Sequence, residues 1–238
     1  MPVSAVFFDL DGTLLPMDQD LFVKTYFGCL AKKLSIRGYE PKALIDAVWA
    51  GTRAMVKNDG SKVNAEAFWD CFCGIYGPEA RQDEPLFEEF YRCEFQQARA
   101  VCGLNPKAAE IIAPLKARGL RCVLATNPLF PAIATHSRIR WAGLEPEDFC
   151  CISTYENSRF CKPNPDYYRE LLDRLGLRGE DCLMVGNDAV EDTAAAEAGM
   201  RVFLVTDCLL NPGGKDISAW PHGDFDALRA WLEAALEA

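Results

Sequence analysis

Two apolar runs in this chain lack the polar alternation of a half-buried strand: residues 4–9, which contain Ala5-Val6-Phe7-Phe8, and residues 201–205. A strand that is apolar on both faces must be covered on both, which is the situation of a parallel sheet held between layers of helix. Residues 121–126, 150–153 and 182–185 are further short runs of the same apolar kind. Helical patterns separate them. Residues 106–118 open with Asn105 as N-cap and Pro106 at the first helical position, and Gly119 is the stop. Residues 165–175 repeat this grammar with Asn164, Pro165, an acid at Asp166 and Gly176 at the end. Residues 189–198 and 224–237 complete the helices of this set. Strands alternating with helices predict an α/β fold with a doubly wound parallel sheet.

The interval between the first and second strands breaks the rhythm. Residues 17–101 contain no convincing strand, only amphipathic helical segments near 18–36, 41–57, 62–76 and 84–100. That is far more chain than the dozen or so residues a crossover needs. The expected organisation is a core made of residues 1–16 and 102–238, with a helical domain, residues 17–101, inserted after the first strand.

Composition excludes several classes. A formal net charge of −10 opposes nucleic-acid binding, which requires basic patches to neutralise phosphates. No apolar run approaches the length that crosses a bilayer, so no membrane partner is expected. The N-terminal segment has neither the basic flank nor the cleavage pattern of a signal peptide, which points to the cytoplasm. Eleven cysteines without a Cys-x-x-Cys pair, beside only two histidines, do not make a zinc motif. Cys122, Cys182 and Cys208 read as small hydrophobes in a reducing compartment. Monomer and homodimer are both compatible with the sequence.

Polar clusters follow four of the expected strands. Asp9 and Asp11 flank Leu10, so in an extended chain their side chains point the same way and share one pocket. Two neighbouring carboxylates repel unless a cation or a shared proton separates them, and Mg²⁺ suits such oxygen ligands. Taken alone, Asp11-Gly12 reads first as a turn signal. Thr126-Asn127-Pro128 places a hydroxyl and backbone N–H groups where they can meet a phosphate, or simply a turn. Lys162, ahead of Pro163-Asn164-Pro165, is either a solvated lysine or a charge that orients carboxylates. Asn187, Asp188, Glu191 and Asp192 crowd more acid at one helix start than capping requires. In an open α/β sheet the carboxyl ends of strands line the ligand crevice, and all four clusters lie there.

In order and spacing, this set resembles the haloacid dehalogenase-like hydrolase superfamily. "DLDGTL" is similar to its first motif, "LATN" to its second, the lysine of "CKPNPDYY" to its third and "VGNDAVEDTAAAEAGM" to its fourth. The resemblance covers residues 4–15 and roughly 102–206, and the helical insert lies where this family carries its type 1 cap. It implies a Rossmann-like core and an Mg²⁺-dependent phosphatase of small phosphorylated metabolites. Asp9 would be the nucleophile that forms an aspartyl-phosphate, and Asp11 the acid and then the base. Thr126 and the Asn127 backbone would bind the phosphoryl group, and Lys162 would stabilise Asp9 and the intermediate. The Asp9 carboxylate, the Asp11 carbonyl and an acid of the fourth motif would hold Mg²⁺. Many relatives have Gly-Asp where this chain has Gly186-Asn187-Asp188, which moves the expected ligand to Asp188, with Asn187 and Asp192 as alternatives. Asp11 itself favours phosphate esters, because a leaving halide needs no proton. A phosphomutase or other phosphotransferase on the same core, and a non-catalytic binding protein of the same fold, are the rival readings.

The insert is rich in aromatic residues, among them Phe22, Tyr26, Phe27, Trp49, Phe68, Trp69, Phe72 and Tyr76. At helical spacing these are first a small domain's own core. Lys24, Arg53 and Lys57 read first as ordinary solvated charges, with contact to a polar end of the substrate as the alternative.

Overall fold

The computed structural model describes residues 3–237. Strand β1 (Ala5–Phe8) is followed by the insert, which consists of α1 (Gln19–Leu34), α2 (Pro41–Val56), α3 (Asn64–Tyr76) and α4 (Glu84–Arg92), with 3-10 turns after α1, α3 and α4. The chain then alternates: α5 (Lys107–Ala117), β2 (Arg121–Leu124), α6 (Ala132–Trp141), β3 (Cys151–Ile152), α7 (Pro165–Leu175), β4 (Cys182–Gly186), β5 (Arg201–Val205), β6 (His222–Gly223) and α8 (Phe225–Glu237). The six strands form one sheet in the order β3-β2-β1-β4-β5-β6, and every pairing is parallel. This is the doubly wound α/β fold that the apolar runs predict.

Successive side chains of a strand serve opposite faces, and β1 shows this directly. Val6 and Phe8 join one buried cluster, with Ile111 and Ile112 of α5, Ile139 of α6 and Leu228 of α8. Ala5 and Phe7 join the other, with Tyr167, Tyr168, Leu171 and Leu172 of α7. All four β1 residues are buried, so a polar alternation would have placed a polar group in one core or the other.

The local signals act as expected in α7. The Asn164 side chain accepts from the Asp166 N–H, and Gly176 closes the helix at φ +62°. At α5 the helix begins one residue later than its motif suggests, at Lys107, whose N–H still bonds Asn105 Oδ1 at 3.0 Å. Three elements differ from the sequence expectation. Helix α6 has no clear amphipathic stripe, because Thr135 and Arg138 are buried polar residues on it, and periodicity therefore misses it. Residues 189–192 are a turn, with only a 3-10 segment at Thr193–Ala198, because Asp188 Oδ1 takes the N–H groups of Val190 and Glu191. Strand β6 has only two residues and leaves no pattern to read.

The insert is anchored to the core by polar contacts as well as by packing. At the start of α3, Asn64 N–H and Ala65 N–H donate to the Ser158 and Tyr155 carbonyls, each at 2.8 Å. Gln96 bridges Ser137 and the Trp141 indole at 2.9 and 3.2 Å. Cys122 and Cys182 are buried, whereas Cys208 lies half-buried in the loop after β5, outside any strand. No helix among the described residues is long and apolar enough to cross a membrane.

Candidate active site

Chain order turns back at β1 and β4: β2 and β3 extend the sheet to one side, β5 and β6 to the other. A crevice opens at such a reversal, beyond the carboxyl ends of the strands. Asp9 directly follows β1, and its N–H bonds the Val185 carbonyl of β4 at 2.9 Å. Asn187 and Asp188 directly follow β4.

Lys162 is the electrostatic centre of this crevice. It is 1% exposed, and its Nζ donates to Asp9 Oδ1 at 2.9 Å and to Asp192 Oδ1 at 2.6 Å. Burial works to lower its pKa, but Asp192 and Asp9 outweigh burial and hold the ammonium well above its ordinary value. Burial pushes the Asp9 carboxyl up to about 7, against the pull of Lys162 and with Asp192 and Asp11 adding to it. The other Asp9 oxygen takes a long bond, 3.3 Å, from the Thr13 hydroxyl.

The fourth-motif residues divide by their partners. Asn187 is committed at both ends: its Oδ1 accepts from Thr13 at 2.9 Å and its Nδ2 donates to the Cys208 carbonyl at 2.7 Å. Asp192 is also committed, to Lys162 and, through Oδ2, to the Asp188 N–H at 2.9 Å. Asp188 is half-buried at the crevice, its carboxylate oriented by the two N–H groups on Oδ1. Two glycines permit this closeness. Gly12 has φ +83°, and a Cβ there would overlap the Asn187 amide; a Cβ on Gly186 would overlap the Asp192 carboxylate.

Thr126 lies two residues beyond β2, buried, with its carbonyl held by Ser153 Oγ at 2.6 Å and Tyr167 Oη at 2.8 Å. The Asn127 side chain donates to Glu191 at 3.0 and 3.1 Å. Burial, opposed by Lys162 and aided by three neighbouring aspartates, pushes Glu191 up to about 8.

The residue that sequence reasoning misses is Arg138. Fully buried on α6, it forms an ion pair through Nη1 with Asp11 Oδ2, and its guanidinium lies 4.4 Å over the Phe130 ring. Burial raises the Asp11 carboxyl, while Arg138 and then Lys162 oppose it. Nothing local marks Arg138, since it is 127 residues from its partner.

A cavity of about 310 Å³ joins these groups to the insert. Asp9, Asp11, Thr126, Asn127, Asn187, Asp188 and Asp192 all border it, so seven of the eight site residues named from sequence meet there, with Lys162 directly behind Asp9. Lys24, Arg53 and Lys57 do not line it and are exposed.

The donor chemistry suits a hard divalent cation. Five carboxylates border the cavity, against two buried cations, Lys162 and Arg138. Asp11 Oδ1 is buried with no hydrogen-bond partner. Among the described residues no group of three His, Cys, Asp or Glu side chains is placed to hold a metal ion by itself. Mg²⁺ needs no such group, since it usually keeps several waters and takes one or two carboxylates.

Residues 3–199 match the haloacid dehalogenase-like hydrolase family. The chain belongs to that family. It is 29% identical to a phosphoglycolate phosphatase of Rhodospirillum rubrum over 213 residues, 85% of this chain and 79% of the relative. A phosphoglycolate phosphatase of Vibrio cholerae is 27% identical and is covered over 97% of its length by 98% of this chain. Among solved structures, a 2-haloacid dehalogenase from Pseudomonas syringae superposes with a TM-score of 0.64 at 21% identity, over 98% of this hydrolase and 99% of that chain.

Proposed function

We propose that this hydrolase is a phosphatase that cleaves small phosphate monoesters in two steps at Asp9, in a cavity closed by residues 17–101 over a core of residues 1–16 and 102–238. The observation that carries this reading is the pairing of Asp9 with buried Lys162, beside a second carboxyl, Asp11, that is raised by burial. In the first step an Asp9 carboxylate oxygen forms a bond to phosphorus as the bond from phosphorus to the ester oxygen breaks. Asp11 gives its proton to the departing alcohol, and burial suits it to carry that proton. In the second step water attacks phosphorus, its proton goes to Asp11, and the Asp9 oxygen leaves, releasing phosphate and restoring both carboxyl groups. The Thr126 hydroxyl and the Asn127 N–H orient the phosphoryl oxygens, while Lys162 offsets charge at Asp9 throughout.

Mg²⁺, held by Asp9, the Asp11 carbonyl and Asp188, would neutralise phosphoryl charge. Asp188 is preferred because the polar atoms of Asn187 and Asp192 are already committed. Asp11 also separates this reading from dehalogenation, in which the leaving halide needs no proton.

Purified protein with Mg²⁺ should hydrolyse a generic aryl phosphate, EDTA should stop it, and Asp9→Asn should abolish it, a loss of at least about 10⁴-fold. Equal rates for wild type and Asp9→Asn would overturn the reading. In Mg²⁺ titrations Asp188→Ala should weaken binding more than Asp192→Ala; the reverse order reassigns the ligand.

A further inference from the structure

The cavity carries charge at one end only. Its five carboxylates all come from the core, at Asp9, Asp11, Asp188, Glu191 and Asp192. On the opposite side it meets the insert, where rings supply most of the surface, including Phe22, Phe27, Trp49, Phe68 and Trp69. Among the described residues no lysine or arginine lines it. Both buried cations nearby are engaged, Lys162 with Asp9 and Asp192, and Arg138 with Asp11. On the insert side three hydroxyls are committed, and the buried Trp69 Nε1–H, which has no hydrogen-bond partner, is an uncharged donor. The Tyr26 and Tyr91 hydroxyls bond each other at 2.9 Å, and the Thr52 hydroxyl donates to the Val48 carbonyl at 3.0 Å.

A leaving group that carried a carboxylate or a second phosphate would lose its water among these rings and find no cation to replace it. An uncharged ring would gain from the same burial, and from edge and face contacts with the aromatic walls. The volume, about 310 Å³, lies at the small end for ligand sites, which span roughly 300–1,000 Å³. We infer that the substrate is the phosphate monoester of a small, uncharged aromatic alcohol, rather than the carboxylate-bearing ester for which the two phosphoglycolate phosphatases above are named. This rests on the phosphatase reading for its chemistry, and on the cavity alone for its preference.

The test compares kcat/KM for benzyl phosphate and 2-phosphoglycolate with the Mg²⁺-loaded protein. Benzyl phosphate should be favoured by about 100-fold, the order expected when a charged group is left unpaired in an apolar site. Thr52→Lys, on a half-buried position of α2 where a long stem can reach solvent, should narrow that preference at least about tenfold by gaining on phosphoglycolate. A phosphoglycolate rate equal to or above the benzyl rate in wild type overturns the inference and leaves the phosphatase reading standing. Should neither ester be hydrolysed, the generic aryl phosphate decides the phosphatase reading separately, and calorimetric binding of benzylphosphonate against 3-phosphonopropionate decides the cavity's preference. Tighter benzylphosphonate binding supports it, and equal or reversed affinity overturns it.

Discussion

At the strand ends below the cavity, Lys162 joins Asp9 and Asp192 through bonds of 2.9 and 2.6 Å, and Asn187 and Asp192 have both side-chain polar atoms bonded. On the insert side, rings pack by edge and face, as in the contacts of Tyr26 with Phe27 at 4.9 Å and Phe27 with Trp49 at 5.3 Å. The first region is set by charge, where a lost partner leaves a desolvated ion. The second is set by shape and area, where a lost group leaves a gap that neighbours can share. Chemistry is therefore fixed on parallel strands that cannot slip without moving both cores. On the proposed reading, selectivity rests on helices whose side chains can change without disturbing the reacting atoms.

Removing the charge at the centre should test this contrast most severely. Lys162→Met strands Asp9 and Asp192 without their shared cation. It should cost about 3–5 kcal/mol of stability in chemical denaturation, as for other broken buried pairs, and about 10³-fold in kcat. A well-folded variant with near-normal turnover would break the distinction between floor and wall.

Arg138→Met should act through Asp11 alone, in both of its proton transfers. It removes the cation that opposes burial at Asp11, so the Asp11 carboxyl rises further. The expected loss is about 10²-fold in kcat with little change in KM, a scale typical of general acid–base groups, and the pH–rate limb assigned to Asp11 should move to higher pH. An unchanged limb would reduce Arg138 to a structural role.

The smallest expected effect is in stability against pH. Asp9 is pushed up to about 7 in the folded protein, and an unfolded aspartate titrates near about 4. Between those values the folded state holds a proton that the unfolded chain has lost, so the contribution of Asp9 to stability falls as pH rises. Asp9→Asn does not titrate. In metal-free buffer its Tm should gain on wild type by about a few degrees between pH 5 and pH 8, and a constant difference across that range would contradict the raised carboxyl.

Some of the site is legible in the sequence because its rules are local. Asp9 and Asp11 lie two apart directly after an apolar run, and that spacing suggests one shared side. Asn164 and Gly176 bound α7 through caps made within a few residues. Lys162, Asp188 and Asp192 could be named because each follows a strand whose carboxyl end faces the crevice. Arg138 could not, since its helix mixes buried polar and apolar residues without a stripe. Nor could the short segments be read where side chains take the backbone's bonds, as at Asp188.

By itself, then, the sequence determines that this chain builds a parallel sheet with carboxylates at its strand ends and a helical insert after β1, because periodicity and capping act over a few residues. Tertiary structure alone decides three things: that Arg138 holds Asp11, that Asn187 and Asp192 have both side-chain polar atoms bonded, and that rings rather than cations line the insert side of the cavity. Each depends on which distant side chains share one desolvated volume, and that is settled only when both cores close. "DLDGTL" places two carboxylates at the end of β1; the packing of α1, α2 and α3 above it shapes the cavity they border.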